Sequence, residues 1–73
     1  MFTLTSMYGT LLDVMPNGTP LEAAKARAVT TARTVRDMVA LERRDHRTGP
    51  VLRDIGRATP HGFVTISNGS NLT

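Results

Sequence analysis

Histidine, serine and carboxylate side chains are the groups in this sequence with the capacity for acid–base or nucleophilic chemistry. His61 and Ser67 lie close together in the chain, but no carboxylate is clearly placed to orient the histidine, as a serine–histidine–aspartate site requires. There is also no glycine-rich phosphate-binding loop and no pair of carboxylates at a recognisable catalytic spacing. The sequence therefore predicts a protein that is not an enzyme and has no catalytic residues.

The few potential metal ligands do not predict a metal site. The chain contains no cysteine and two histidines, His46 and His61, which fall on different predicted elements. A structural zinc site usually takes four cysteine or histidine ligands, so this supply is too small. We expect neither a metal ion nor a cofactor.

Basic side chains are the other chemically distinctive group, and they give the chain a net charge of +3. Phosphate groups bind lysine and arginine whatever the nucleotide sequence. One flank of a predicted helix is therefore a candidate nucleic-acid contact, although a solvated helix face is the preferred interpretation because arginines near a helix C-terminus offset its macrodipole. The candidate contact residues are Lys25, Arg33, Arg36, Arg43, Arg44 and Arg47.

One long amphipathic helix, from about residue 20 to residue 47, is the element expected to position these basic side chains. Thr19-Pro20-Leu21-Glu22 resembles a capping box with proline at the first helical position. Gly49-Pro50 provides a typical stop signal. Between these signals, apolar residues recur at helical spacing along one stripe. The stripe consists of Leu21, Ala24, Ala28, Ala32, Val35, Met38 and Val39.

Part of this stripe is predicted to be a protein interface. A chain of 73 residues buries only about 60% of the surface that its unfolded form exposes, so small proteins often gain stability by association. The alternative is that the N- and C-terminal segments of the chain cover the stripe themselves. The predicted interface residues are Ala28, Ala32, Val35, Met38 and Val39.

The rest of the chain predicts short elements around the helix, within one domain of residues 1–73. Residues 1–18 are extended or helical: their threonines favour two strands joined at Tyr8-Gly9, whereas the spacing of their leucines and methionines also fits a helix. Residues 50–69 predict a short helix followed by a strand, and residues 70–73 a frayed tail. The predicted fold class is an α+β mini-domain dominated by the helix at about 20–47, with an all-α arrangement as the alternative.

The segment between Leu52 and Ser67 carries a second pattern. Ile55 stands before a small residue, Gly56, and Ile66 follows at the distance of a second apolar anchor. This arrangement resembles the helix–turn–helix of bacterial repressors, with Gly56 where the two helices cross. The turn glycine of that family is replaced here by Pro60. The resemblance implies two short helices and DNA binding in this segment.

These features predict a non-enzymatic binding or assembly subunit that presents its amphipathic helix to a protein partner or to copies of itself. The alternative is a small basic DNA-binding regulator, so nucleic acid is a less favoured partner. No membrane partner is expected, because no apolar run approaches the ~20 residues that a transmembrane helix needs. No signal peptide is visible either, and the expected location is cytoplasmic.

Overall fold

A five-stranded antiparallel sheet is the dominant element of the protein. The structure is a computed structural model that describes residues 1–65. The strands lie in the order β2-β1-β3-β4-β5. One helix of the described residues connects β2 to β3 and packs on one face of the sheet, over β3, β4 and β5. The elements in chain order are β1 (Phe2–Ser6), β2 (Leu11–Met15), α1 (Leu21–Val35), β3 (Val39–Arg44), β4 (Val51–Thr59) and β5 (Gly62–Thr65).

The prediction of a helix-dominated domain is wrong, and so is the all-α alternative. The helix ends at Val35, and Arg36 takes a left-handed conformation with φ 56° and ψ 41°. From Val39 the chain continues as β3, in which Val39 and Leu41 are buried while Glu42 is only partly covered. The apolar residues of this segment fit both the spacing of a helix and the alternation of a strand. The segment is a strand because its backbone forms hydrogen bonds with β1 and β4. The central amphipathic helix of about 20–47 therefore does not exist as one element.

The predicted capping box at the start of the helix does not form either. Pro20 is the N-cap residue, and no side chain caps the helix. The Thr19 hydroxyl instead donates to the backbone oxygen of Pro16 at 2.8 Å, and Glu22 pairs with Lys25 at 3.5 Å. Thr19 thus stabilises the turn between β2 and α1 rather than the helix end.

The strand interpretation of the N-terminal segment is confirmed. β1 and β2 form an antiparallel hairpin whose register runs from Phe2↔Met15 to Thr5↔Leu11. Gly9 takes a φ of +91° in the connecting turn, which side chains other than glycine rarely adopt. The Ser6 hydroxyl accepts hydrogen bonds from the backbone N–H groups of the turn and so replaces strand partners there.

The C-terminal part of the described chain is a hairpin rather than a helix–turn–helix. Residues 51–59 form β4, not a short helix, and they pair with β5 across a turn at Pro60-His61. The resemblance to bacterial repressors therefore does not extend to the fold. The strand predicted after the short helix, at residues 63–67, is confirmed as far as Thr65. Residues 66 and 67, like the predicted frayed tail at 70–73, lie outside the described residues.

Gly56 has a packing role that explains the small residue at this position. A Cβ atom built on Gly56 would lie 2.4 Å from the backbone oxygen of Val64 and 2.9 Å from the Phe63 ring. No side chain fits at these distances, so the close approach of β5 to β4 depends on glycine.

The core lies between the helix and the sheet. Ala24, Ala28 and Ala32, spaced four residues apart, are completely buried. Such small side chains on one face allow the helix backbone to approach the sheet closely. The sheet contributes larger side chains to the same cluster: Leu4, Met15, Val39 and Leu41, with Ala58.

Replacing Ala28 with leucine should lower the free energy of unfolding by about 1–3 kcal/mol, because the larger side chain has no room between α1 and the sheet. Urea denaturation measures the change. Ala26→Leu is the matched control, since Ala26 lies on the exposed side of the same helix and should shift the value by less than about 0.5 kcal/mol. Equal losses in both variants would contradict the packing described here.

Candidate anion-binding cleft

Two consecutive cross-strand pairs of β3 and β4 bring like charges together. Glu42 lies opposite Asp54, and Arg43 lies opposite Arg53. Because successive side chains point to opposite faces of a sheet, one pair lies on the helix-covered face and the other on the open face. Like charges directly opposite one another destabilise a sheet, and opposite charges nearby reduce this repulsion.

The carboxylate pair has its counter-charges within the chain. The Arg44 guanidinium donates to Glu42 Oε1 at 3.0 Å, and the Thr5 hydroxyl donates to the same oxygen at 3.2 Å. Arg57 donates to both carboxylate oxygens of Asp54, at 2.6 and 3.1 Å. The hydrogen bond to Asp54 is the main reason that the pKa of Arg57 is raised, and partial burial opposes it.

Hydrogen bonds of the Arg44 side chain also cover part of the open face of the sheet. Arg44 Nε donates to the Thr3 hydroxyl at 3.1 Å, and Arg44 Nη1 donates to the backbone oxygen of Gly49 at 2.7 Å. Thr3 is completely buried, although the one helix of residues 1–65 lies on the other face. Among residues 1–65, no buried polar side-chain atom lacks a partner. Arg44, a predicted nucleic-acid contact, is therefore committed to the structure of the sheet.

The arginine pair lines a cleft of about 190 Å³ between the start of α1 and the sheet. Lys25 of the helix faces Arg43 and Arg53 across this cleft, so three cationic side chains border it. The remaining lining residues are largely apolar. They are Phe2, Leu21, Asp54, Ile55 and Thr65.

Two aromatic rings hold cations of the cleft in place. The Lys25 ammonium lies 5.6 Å from the centroid of the Phe63 ring, and the Arg43 guanidinium lies 5.9 Å from that of Phe2. Such cation–π contacts contribute about 0.5–1 kcal/mol at exposed sites. They orient the charges without neutralising them.

The cleft has an excess of positive charge. The described residues contain four ion pairs, and neither Arg43 nor Arg53 belongs to any of them. Asp54 borders the cleft, but its carboxylate lies on the open face of the sheet, where Arg57 holds it. Lys25 pairs only with Glu22, whose side chain is 85% exposed, and such surface pairs contribute about 0–1 kcal/mol. An anion entering the cleft would therefore meet three available cations.

The residues of the predicted basic flank do not lie together in the structure. Lys25 and Arg43 meet in the cleft, whereas Arg33 and Arg36 lie at the end of α1, roughly 12–17 Å further along the helix axis than Lys25. Arg33 donates to the backbone oxygen of Pro60 at 3.0 Å. Arg44 lies on the opposite face of the sheet from the cleft, and Arg47 lies in the connection between β3 and β4.

Arg53 is a cleft residue that sequence reasoning missed. The signal was present in Gly49-Pro50, because a turn there joins two strands and brings Arg53 opposite Arg43. Because this dipeptide was interpreted as a helix stop, the pairing of β3 with β4 was not predicted, and neither was the arginine pair.

Some residues of the predicted protein interface are buried in the domain, and others are exposed. Ala28, Ala32 and Val39 are completely buried against the chain's own sheet. Val35 and Met38 are 43% and 38% exposed. Of these five residues, a partner that binds the folded domain could therefore contact only Val35 and Met38.

Other classes of site receive no support from the described residues. Within residues 1–65, no group of three or more histidine, cysteine or carboxylate side chains is placed to hold a metal ion. The one helix of this range is too short and too polar to cross a membrane. Comparison with known proteins found no matching family, no matching curated protein and no matching solved structure.

Replacing Arg53 with glutamate should raise the free energy of unfolding by about 0.5 kcal/mol in low-salt buffer, because a repulsive cross-strand pair becomes an attractive one. Urea denaturation at two salt concentrations measures the effect, which should shrink as salt rises. Arg47→Glu changes the net charge equally but lies outside the strand pair. A similar gain in that control would mean that overall charge, not the Arg43–Arg53 pair, is responsible.

Proposed function

We propose that this chain is a non-enzymatic binding domain whose basic cleft holds a phosphate group of a nucleic-acid strand. The observation that carries the proposal is the contrast between the two like-charge pairs. Glu42 and Asp54 each have an arginine partner, whereas Arg43 and Arg53 have no anionic partner among residues 1–65. An external anion would supply the missing counter-charge. The cytoplasmic location expected from the sequence remains a prediction, and it is compatible with this partner.

Phosphate is the anion that best fits these groups. Two neighbouring guanidinium groups offer several N–H donors in planar arrays that match the oxygens of a phosphate. A volume of about 190 Å³ lies below the roughly 300–1,000 Å³ typical of pockets for whole small molecules. The cleft therefore suits one group of a larger ligand rather than an enclosed metabolite.

The distribution of charge favours a polyanion over a single acidic side chain. The net charge is +3, and the ion pairs leave Arg36 and Arg47 unpaired as well as the cleft arginines within the described residues. A polymer with repeated phosphates is attracted by this whole surface, whereas a lone carboxylate ligand would use the cleft alone. Cations lie against the rings of Phe2 and Phe63, so base stacking there is not favoured and binding should be independent of sequence.

The helix-presenting function expected from the sequence has less support from the structure. It depends on an apolar stripe along α1, and the alanines of that stripe are used in the chain's own core. The proposed binding surface therefore lies at the junction of α1 with the sheet and not on the apolar face of the helix.

Replacing Lys25, Arg43 or Arg53 with alanine should weaken binding of nucleic acid and reduce the dependence of log K on log salt concentration. With one phosphate held in the cleft, the cleft should contribute about −0.7 to −0.9 to the wild-type slope, and each substitution should remove up to that amount. Fluorescence anisotropy with a labelled 20-nucleotide single strand and its duplex, across a salt series, measures both quantities.

Arg36→Ala and Arg47→Ala are the matched controls, because they remove the same charge outside the cleft. They should leave the slope closer to the wild-type value than the cleft variants do. Equal effects of all five substitutions would show that net charge alone governs binding. Sequence-selective binding at nanomolar concentration would contradict a cleft that reads only phosphate.

Association between copies of this chain is a second candidate function, favoured by an apolar end of the sheet. Because Ser6 pairs with Val39, the Met7-Tyr8 turn and Met38 lie at the same end. Met7 is 48% exposed, Tyr8 87% and Met38 38%, and the exposed Val35 ends the helix nearby. Exposed apolar groups that cluster in this way are typical of protein contacts.

Sedimentation velocity from low to high micromolar concentration tests this second function. Self-association through the apolar end should raise the sedimentation coefficient with concentration, and Met38→Lys should abolish the rise. Leu52→Lys is the control, since Leu52 is 54% exposed on β4, outside this end. A concentration-independent monomer would exclude assembly through this surface.

A further inference from the structure

We infer that the cleft binds the terminal phosphate of a nucleic-acid strand, and that the cavity beside it holds the nucleoside that carries this phosphate. The inference rests on the proposed function, because it names the form of phosphate that the same cleft takes. It also assigns a second subsite, which includes residues that do not border the cleft.

The charge of the cleft fits a phosphate monoester better than a phosphate diester. Arg43 and Arg53 supply two positive charges that no carboxylate of residues 1–65 pairs with. A phosphate within a strand is a diester with one negative charge, whereas a terminal phosphate carries about −1.5 to −2 at pH 7. The terminal group therefore comes closer to balancing the arginine pair.

A terminal phosphate also offers more acceptor oxygens. It has three non-bridging oxygens, whereas a phosphate within a strand has two. The cationic side chains that border the cleft come from three elements: Lys25 from α1, Arg43 from β3 and Arg53 from β4. Each of them can donate to a separate oxygen of a terminal phosphate, which a diester does not allow.

A second cavity, of about 330 Å³, adjoins the cleft where β1 and α1 begin. The two cavities share the lining residues Phe2, Leu21 and Arg43, so they lie side by side. The second cavity falls within the range of roughly 300–1,000 Å³ that is typical of pockets for small molecules. A nucleoside attached to a phosphate in the cleft would extend into this space.

The turn between β2 and α1 forms one wall of the second cavity and provides its polar groups, Asn17 and Thr19. This turn is held by two hydrogen bonds to the backbone oxygen of Pro16, from the Thr19 N–H at 3.2 Å and from the Thr19 hydroxyl at 2.8 Å. The Asn17 amide oxygen accepts from the Met1 nitrogen at 2.7 Å, which leaves the amide N–H groups to donate to a ligand. The wall therefore suits the hydroxyl and ring oxygens of a sugar.

Strands that differ only in their terminal phosphate test the first part of this inference. Three internally labelled 20-nucleotide single strands of one sequence carry a 5′-phosphate, a 3′-phosphate or no terminal phosphate, and fluorescence anisotropy in low-salt buffer measures their affinities. One phosphorylated strand should bind at least about fivefold more tightly than the unphosphorylated strand, the size expected for one or two exposed charge pairs. Arg53→Ala should remove this preference, whereas Arg47→Ala, outside the cleft, should keep it.

The second subsite is tested with a strand whose terminal nucleoside is replaced by a propyl spacer that carries the phosphate. This strand should bind about threefold more weakly than the strand with a complete terminal nucleotide, because a hydrogen bond in the second cavity is lost. Asn17→Ala should reduce this difference. Thermal unfolding confirms the fold of the variant, and if it does not fold, the comparison of the two strands on the wild type decides the question.

Three results would overturn the inference. Equal affinities for the strands with and without a terminal phosphate would exclude selection of the monoester. Equal binding of the spacer strand would exclude the nucleoside from the second cavity. Competition by a free nucleoside monophosphate at the same concentration as the phosphorylated strand would show that the ligand is a mononucleotide and not a strand end.

Failure of this inference is distinguishable from failure of the proposed function. If all strands bind the wild type equally while the alanine variants of Lys25, Arg43 and Arg53 lose affinity, only the assignment of a strand end fails. If no strand binds the wild type, both proposals fail together.

Discussion

Val39 and Leu41 reach the core because β3 pairs with β4 in a defined register, which runs from Val39↔Ala58 to Arg44↔Val51 and shifts after Leu41 and after Arg43. A shift of one residue would turn the buried side of β3 toward solvent and bring its charged side under the helix. The same register determines the charges, since it brings Glu42 opposite Asp54 and Arg43 opposite Arg53. Core packing and the candidate site are therefore consequences of one strand pairing.

The charges of the β3–β4 pairs are neutralised on one face of the sheet and not on the other. On the open face, long arginine side chains lie over the sheet and neutralise both carboxylates, and Thr3 is buried beneath them. On the helix side, the start of α1 adds Lys25 to two arginines that already repel each other. One face is thus closed by its own ion pairs. The other face keeps a positive charge next to a cleft that no carboxylate of residues 1–65 neutralises.

Local signals in the sequence predicted the parts of the fold that local interactions determine. Threonine content and Tyr8-Gly9 favoured the N-terminal hairpin without excluding a helix there, and the spacing of the alanines indicated the buried side of α1. The end of the helix could not be predicted, because residues 36–47 have apolar spacing compatible with a helix and become a strand only through β1 and β4. Lys25 and Arg43 were identified as candidate contacts from their charge. Arg53 was not, since its neighbour in space is determined by the hairpin register.

We propose that Lys25, Arg43 and Arg53 form one anion site. An NMR titration of the ¹⁵N-labelled protein with a 20-nucleotide single strand, followed by backbone and arginine side-chain N–H signals, would locate the bound anion. The largest and earliest shifts should occur at these three residues and at Phe2, with little change at Arg36 and Arg44. Shifts centred on Arg36, or spread evenly over all surface arginines, would contradict it.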